Sequence, residues 1–303
     1  MDTDVVVHRP LRRAVRFVLL TYFGTLVLMF TVANRLPAEV RELPVRLLVL
    51  SVGALAYFRG ARPLWPVFSR PWAGPVMLLA VMTPLVANAF GVLFGGAMAM
   101  MGATQTPPES VTSTIGGFAS ALLLNAIVGP IGEELLFRGA VLRALRPWGD
   151  GVAVVGSSFL FGMAHIHFLA FPWAFVLGVI CALLTLRAKS IGPAIAFHVM
   201  GNVLGTILTI PALHSVTAVI EKHATVRTET SGIALLVSAL VVATGIAIYG
   251  VALRKRTAEL DGRTADRSLT SALLSVSSLT LVGLYLLVNV ALTAAMFSKG
   301  ASG

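Results

Sequence analysis

Long apolar runs separated by short polar linkers make up most of the chain. Nine apolar segments are predicted, at 15–34, 44–58, 73–101, 114–142, 151–167, 170–186, 191–212, 231–253 and 270–297. A helix rises ~1.5 Å per residue, so about 20 apolar residues cross a hydrocarbon layer ~30 Å thick. The second segment is the shortest and could instead be re-entrant. The pattern therefore predicts an all-α, polytopic transmembrane helix bundle with about eight or nine spans.

The composition agrees with this pattern. Hydrophobic residues make up 57% of the sequence and charged residues 12%, and the mean hydropathy is +0.89. Soluble domains average about 25% charged residues, so the composition argues against a water-soluble globular protein. The single cysteine, Cys181, cannot form an intramolecular disulfide. Because it lies in an apolar run, we predict a packed small side chain there.

The positive charges mark the ends of the apolar segments. The net charge is +10, but the basic residues form no continuous face, so we predict no nucleic-acid partner. With nine spans, five basic clusters fall on one side, which predicts a cytoplasmic N-terminus. The composition, rich in Ala, Val, Leu and Arg, is compatible with a bacterial plasma membrane. Arg35, Arg41 and Arg46 depart from this rule, because they fall on the opposite side. The five clusters lie at 9–16, 59–70, 143–146, 187–189 and 254–267.

A few polar residues lie where an apolar segment should exclude them. Of 13 acidic residues, only Glu133 and Glu134 lie well inside a segment. A carboxylate buried in a membrane costs about 2.5 kcal/mol or more, so two adjacent ones require a role. The following segments contribute His165, His198 and Asn202 at depths that allow all of these side chains to meet in one intramembrane cavity.

Helical spacing divides the two glutamates. Glu134 and Arg138 are four residues apart with the acid first, the favourable order for an ion pair on one helix face. Glu133 points about 100° away, and we expect it to face the cavity. Taken singly, each polar residue could be an interhelical contact without catalytic meaning. Their joint occurrence in consecutive segments favours a catalytic role.

Two imidazoles, a carboxylate and an amide permit two kinds of hydrolytic site. They can bind zinc or another divalent metal with an open position. They can equally work without metal, with the carboxylate activating water and the imidazole and amide donors stabilising an oxyanion. Other protease designs are missing, since the chain has no H-E-x-x-H, no G-x-S-x-G and no aspartate inside a span.

Three motifs in order resemble those of one known family. Residues 133–138 read E-E-L-L-F-R and resemble its EExxxR motif. Residues 161–165 resemble its FxxxH motif, and residues 198–202 resemble its HxxxN motif. The chain thus resembles the type II CAAX prenyl endopeptidases, also called CPBP intramembrane proteases, over roughly residues 122–211.

The resemblance implies an active-site cavity within the bilayer that opens toward the cytoplasm. In that family the first glutamate and the FxxxH histidine activate water, and the HxxxN residues stabilise the oxyanion. Carried onto this chain, the water-activating pair is Glu133 and His165, and the oxyanion pair is His198 and Asn202. The same four residues are the candidate metal ligands.

The resemblance also assigns supporting roles to Glu134 and Arg138 and divides the chain into three parts. These are N-terminal spans at 1–112, a CPBP-like catalytic core at 113–213, and C-terminal spans at 214–303. The expected substrate is a membrane-anchored or lipidated peptide within the lipid bilayer. Two alternatives stay open at this point: a non-catalytic membrane protein with an immunity or scaffold role, and a transporter that uses the paired glutamates.

Overall fold

The structure is a computed structural model of the chain. It describes residues 3–60, with side chains from residue 10, and residues 65–66, 80, 82–83, 86, 89, 114–165, 170–208, 280 and 283–288. Every regular element within these ranges is helical, in agreement with the predicted all-α class. The predicted spans at 73–101, 231–253 and 270–297 lie wholly or largely outside the described residues.

Six long helices organise the described part of the chain. Each coincides with a predicted apolar segment. They are α1 (Thr3–Thr31), α2 (Leu43–Arg59), α3 (Ile115–Trp148), α4 (Asp150–Ala164), α5 (Phe171–Ala188) and α6 (Gly192–Leu208). By length and composition, three helical stretches can cross a membrane: Pro10–Arg35, Ile115–Trp148 and Phe171–Ala188. The total of eight or nine spans stays a prediction.

Helix α1 is apolar on its outer face as well as its inner one. Val15, Val18 and Tyr22 are buried against the rest of the bundle. Large apolar side chains that recur every three or four residues cover the opposite surface, where lipid rather than water is the suitable solvent. These exposed residues are Leu20, Phe23, Val27 and Phe30.

Helix α3 changes its winding along its length. It begins after Thr114, whose Oγ1 accepts a hydrogen bond from the Gly117 amide at 2.9 Å, a typical N-cap. It ends at Gly149, whose φ of 104° suits glycine in the tight turn into α4. Between these ends, α-helical turns alternate with two π-helical segments, Ala121–Val128 and Phe137–Leu142. The α-helical segment between them, Gly129–Leu136, carries both glutamates.

Close backbone packing joins α2 to this central segment of α3. A Cβ built on Gly132 would lie 2.7 Å from the Leu50 Cα, and one on Gly53 would collide with the Gly132 carbonyl. Only glycine allows this approach, so α2 and α3 meet backbone to backbone. Helix α4 packs on α5, and α6 packs on both α5 and the first π-helical segment of α3.

Candidate active site

The four residues predicted to be catalytic line a single cavity of about 470 Å³. Helices α1, α2, α3, α5 and α6 and the end of α4 form its walls. The wall also includes polar residues that were not predicted as site residues, among them Arg46 from α2 and Asn125 from α3. The predicted four are Glu133, His165, His198 and Asn202.

Glu133 presents its carboxylate to the cavity. Its side chain is 14% exposed, and its Oε1 lies 3.5 Å from Nη1 of Arg46. Its Oε2 lies 3.9 Å from Nε2 of His198. The carboxylate is therefore accessible to a small molecule and is held between a guanidinium and an imidazole.

Glu134 turns the other way, into the protein interior. The predicted pair is present, since Arg138 Nε lies 3.1 Å from Glu134 Oε2 and both side chains are fully buried. Arg138 also donates to the Gly178 carbonyl at 3.1 Å, and its guanidinium lies 4.5 Å from the centre of the Phe161 ring. The pair supports the site from behind and does not line the cavity.

His198 is oriented by that buried pair. Its Nδ1 lies 2.9 Å from Glu134 Oε1. Glu134 is paired with Arg138 as a carboxylate, and a carboxylate oxygen only accepts, so Nδ1 of His198 donates. This leaves Nε2 as the ring nitrogen directed at Glu133. A carboxylate that fixes a histidine tautomer in this way is a common support for a working imidazole.

His165 has the same tautomer for a different reason. Its Nδ1 lies 2.9 Å from the carbonyl oxygen of Phe161, which can only accept, so Nδ1 donates and Nε2 is left available. The Phe161 ring contacts both imidazoles, with centroid distances of 4.7 Å to His165 and 5.8 Å to His198. The FxxxH spacing thus fixes the imidazole through the backbone and packs it through the ring.

Asn202 is held by an orphaned backbone carbonyl. In the first π-helical segment of α3, the Gly129 amide donates to the Leu124 carbonyl, five residues back. The same register would direct the next amide to the Asn125 carbonyl, but residue 130 is proline and has no N–H. Asn202 Nδ2 donates to this carbonyl instead, at 3.2 Å. The Gly129–Pro130 pair thereby frees an acceptor for the site.

Arg46 connects α2 to Asn125, the residue whose backbone carbonyl binds Asn202. Its Nε donates to Asn125 Oδ1 at 2.8 Å, and its side chain is 24% exposed. The sequence offered one signal for this residue, because Arg46 departs from the orientation rule that most basic clusters follow. The structure places the Arg46 side chain on the cavity wall. For Asn125, the sequence offered no signal beyond a polar residue in an apolar segment.

The residues whose potential metal-ligand atoms lie closest together are not the four predicted metal ligands. Among the described residues, Glu134, Cys181 and His198 have ligand atoms within 4.8 Å of one another, and all three are buried. This trio does not suit a cation, because His198 Nδ1 and Arg138 already engage the two Glu134 oxygens. Cys181 is fully buried, which confirms the predicted packed side chain.

The cavity-lining residues offer a second set of metal-binding residue types. His165 and His198 each keep Nε2 available, and Glu133 adds a carboxylate. A bond from the other ring nitrogen to a carbonyl or carboxylate is the usual support of a metal-binding histidine. By residue type these three match the donor set of catalytic zinc, but their ligand atoms are not among the groups that lie within 4.8 Å of one another.

Comparison with protein families finds the predicted resemblance. Residues 115–204 match the family model described as Type II CAAX prenyl endopeptidase Rce1-like, which confirms the resemblance for this segment. The match spans α3 to most of α6 and includes all three motifs, whereas α1 and α2 precede it. Together with the apolar helices, it supports an integral membrane protein with a hydrolase-type domain.

A curated relative shows a more distant similarity. The chain is 25% identical over 154 residues to the "Uncharacterized 24.3 kDa protein" of Escherichia coli. The aligned region covers 46% of this chain and 71% of that protein. No solved structure matches the chain.

Proposed function

Because residues 115–204 match the Rce1-like family of type II CAAX prenyl endopeptidases, we propose that the protein is an intramembrane endopeptidase. It hydrolyses peptide bonds of membrane-associated or lipidated substrates. The observation that carries the proposal is the meeting of Glu133, His165, His198 and Asn202 in one cavity. The family match also favours hydrolysis over the non-catalytic alternative.

Glu133 and His165 activate the attacking water. The Glu133 carboxylate takes a proton from water, and the resulting hydroxide attacks the carbonyl carbon of the scissile bond. The lone pair of His165 Nε2 accepts a hydrogen bond from the same water and orients it. When the C–N bond breaks, the proton on Glu133 passes to the departing amine, so the carboxylate is regenerated.

His198 and Asn202 stabilise the oxyanion formed by this attack. An amide nitrogen carries two hydrogens, so Asn202 Nδ2 can donate to the Asn125 carbonyl and still donate into the cavity. When Nε2 of His198 is protonated, it also donates to the oxyanion, and Glu134 balances the imidazolium charge through Nδ1. Donors fixed in advance cost little reorganisation as charge develops.

The site also suits a metal-assisted version of this reaction. Glu133 and the Nε2 atoms of both histidines would hold a divalent metal such as zinc, which when bound would supply Lewis-acid polarisation of the carbonyl. In either version the orientation of both imidazoles and the donor from Asn202 come from this chain.

The rest of the cavity wall suits an apolar substrate. Its α5 side consists of Trp173, Ala174 and Leu177, and its α1 and α2 sides include Met29 and Val45. Burying an apolar side chain or lipid group here contributes about 25 cal/mol of favourable binding free energy per Å² of surface removed from water. We therefore propose lipidated or membrane-embedded peptides as substrates.

The proposal is tested by comparing peptide ends in membranes. Membranes that contain the wild type, Glu133→Gln or the control Glu39→Gln at matched levels are analysed by terminomics. Glu39 is an acidic residue outside the cavity lining. New ends are expected with the wild type and the control and not with Glu133→Gln.

Identical ends in all three samples, with all three proteins folded and abundant, would overturn the proposal. Elemental analysis of the purified wild type and of His165→Ala distinguishes the two versions. Stoichiometric zinc that is lost in His165→Ala would establish the metal-assisted one.

A further inference from the structure

We propose that Arg46 and Asn125 are positioning residues that hold Glu133 and Asn202 in their working geometry. Neither residue belongs to the three sequence motifs, and Arg46 precedes the matched segment 115–204. The inference rests on the proposed endopeptidase activity and adds α2 to the active site.

The guanidinium of Arg46 joins three groups at once. Its Nε donates to Asn125 Oδ1 at 2.8 Å, its Nη1 lies 3.5 Å from Glu133 Oε1, and its Nη2 lies 3.3 Å from Glu42 Oε2. A planar fork with five N–H donors can serve three partners in different directions, two on α3 and one just before α2, whereas a lysine ammonium has no such fixed geometry. An arginine placed only to mark a membrane edge would not need partners on α3, 79 residues away along the chain.

One carboxylate oxygen of Glu133 contacts Arg46, and the other faces the cavity. Arg46 lies at Oε1, and Oε2 faces His198 Nε2 at 3.9 Å. The contact with Arg46 fixes the rotation of the carboxylate about its last bond. Without it, the carboxylate stays in the cavity but loses the fixed direction toward the water that it deprotonates.

Asn125 transmits the same constraint to Asn202. Its side-chain oxygen accepts from Arg46, and its backbone oxygen accepts from Asn202 Nδ2 at 3.2 Å. Pro130 lacks an amide hydrogen and so leaves this backbone oxygen without the donor that the π-helical register would supply. Arg46, Asn125 and Asn202 thus form one hydrogen-bonded chain from α2 through α3 to α6, and both the water-activating side and the oxyanion side of the cavity depend on it.

A positioning role predicts a specific kinetic signature. A small misplacement of a catalytic group can lower turnover on the order of 100-fold, whereas substrate that binds elsewhere in the cavity is held as before. Arg46→Gln should therefore lower kcat at least about 10-fold and leave KM within about twofold. Arg46→Lys keeps the charge but not the fork, and should recover part of the lost kcat.

The experiment measures kcat and KM on a peptide that contains a cut site identified by terminomics. Four variants are compared with the wild type in lipid vesicles: Arg46→Gln, Arg46→Lys, Asn125→Leu and the control Arg41→Gln. Arg41 is exposed and five residues from Arg46, outside the cavity lining. Asn125→Leu should lower kcat less than Arg46→Gln, because the backbone carbonyl that binds Asn202 stays in place. Arg41→Gln should match the wild type.

Two results would overturn the inference. One is a kcat and a KM of Arg46→Gln that both match the wild type. The other is an unchanged kcat with a raised KM, which would assign Arg46 to substrate binding instead. If Arg46→Gln does not fold, the decision rests on Arg46→Lys, where the wild-type kcat counts against the inference. Failure of the proposed function is separate, because it appears as full cleavage by Glu133→Gln.

Discussion

Glu134 and His198 lie on different helices, 64 residues apart in the chain, and share a hydrogen bond of 2.9 Å in the protein interior. Glu134 is also the ion-pair partner of Arg138, so a single buried carboxylate serves a structural pair and an imidazole on the cavity wall. Stability and activity should therefore respond differently to changes at this position.

Glu134→Ala should be strongly destabilising. It leaves the Arg138 guanidinium fully buried without its counter-charge, and breaking a buried pair costs about 3–5 kcal/mol. A lower midpoint of thermal unfolding in detergent measures this loss. The exposed-arginine variant Arg41→Gln is the control and should unfold with the wild type. An unchanged midpoint for Glu134→Ala would show that water or another group compensates Arg138.

The double variant Glu134→Leu with Arg138→Met should separate stability from activity. Replacing a buried ion pair by apolar side chains of similar size is often neutral or stabilising, so the midpoint should return close to that of the wild type. The double variant should nevertheless not cleave substrate, because His198 has no acceptor for Nδ1 and its Nε2 is no longer directed at Glu133. Thermal unfolding and the cleavage assay are run on the same preparation. Restored cleavage would show that the ion pair has no part in orienting His198.

Gly132→Ala should separate α2 from α3. The added Cβ would lie 2.7 Å from the Leu50 Cα, and overpacking of this kind costs typically about 1–3 kcal/mol. Because α2 carries Arg46, cleavage should fall together with the unfolding midpoint. Gly151→Ala is the matched control, since a Cβ there meets nothing within 4 Å and should leave both measurements unchanged. Equal behaviour of the two alanine variants would contradict the close packing.

Pro130→Ala should lower activity without lowering stability. The new amide at residue 130 can donate to the Asn125 carbonyl and so competes with Asn202 for it. The helix gains a hydrogen bond, and the unfolding midpoint should stay level or rise, while turnover falls. Pro10→Ala, which removes the proline inside α1, controls for proline removal in general. Wild-type turnover in Pro130→Ala would show that the orphaned carbonyl does not matter to catalysis.

Phe161→Leu should weaken the support behind both histidines. The variant keeps an apolar side chain but removes the ring that lies over Arg138 and contacts His165 and His198. A desolvated cation–π contact contributes about 2 kcal/mol, which sets the expected loss in unfolding free energy. Phe159→Leu, at a partly exposed ring on the same helix, should cost less. Equal losses in the two variants would argue against a special role for Phe161.

The sequence alone was sufficient for relationships within one helix. Helical periodicity places residues four apart on one face, so the Glu134–Arg138 pair and the direction of Glu133 followed from spacing. The His165 bond to the Phe161 carbonyl has the same short span of four residues. The apolar runs also located the helices, because a span in lipid must satisfy its own backbone.

Only the tertiary structure decided which helices bring their polar groups together. The bonds of His198 to Glu134, Arg46 to Asn125 and Asn202 to Asn125 join residues 64, 79 and 77 positions apart. No periodicity encodes such pairs, because they depend on how close α2 and α6 approach α3. That approach is set by side-chain shape at the interfaces, above all by the missing Cβ of Gly132. For this reason the sequence showed Arg46 only as an exception to the charge rule, whereas the fold places it on the cavity wall.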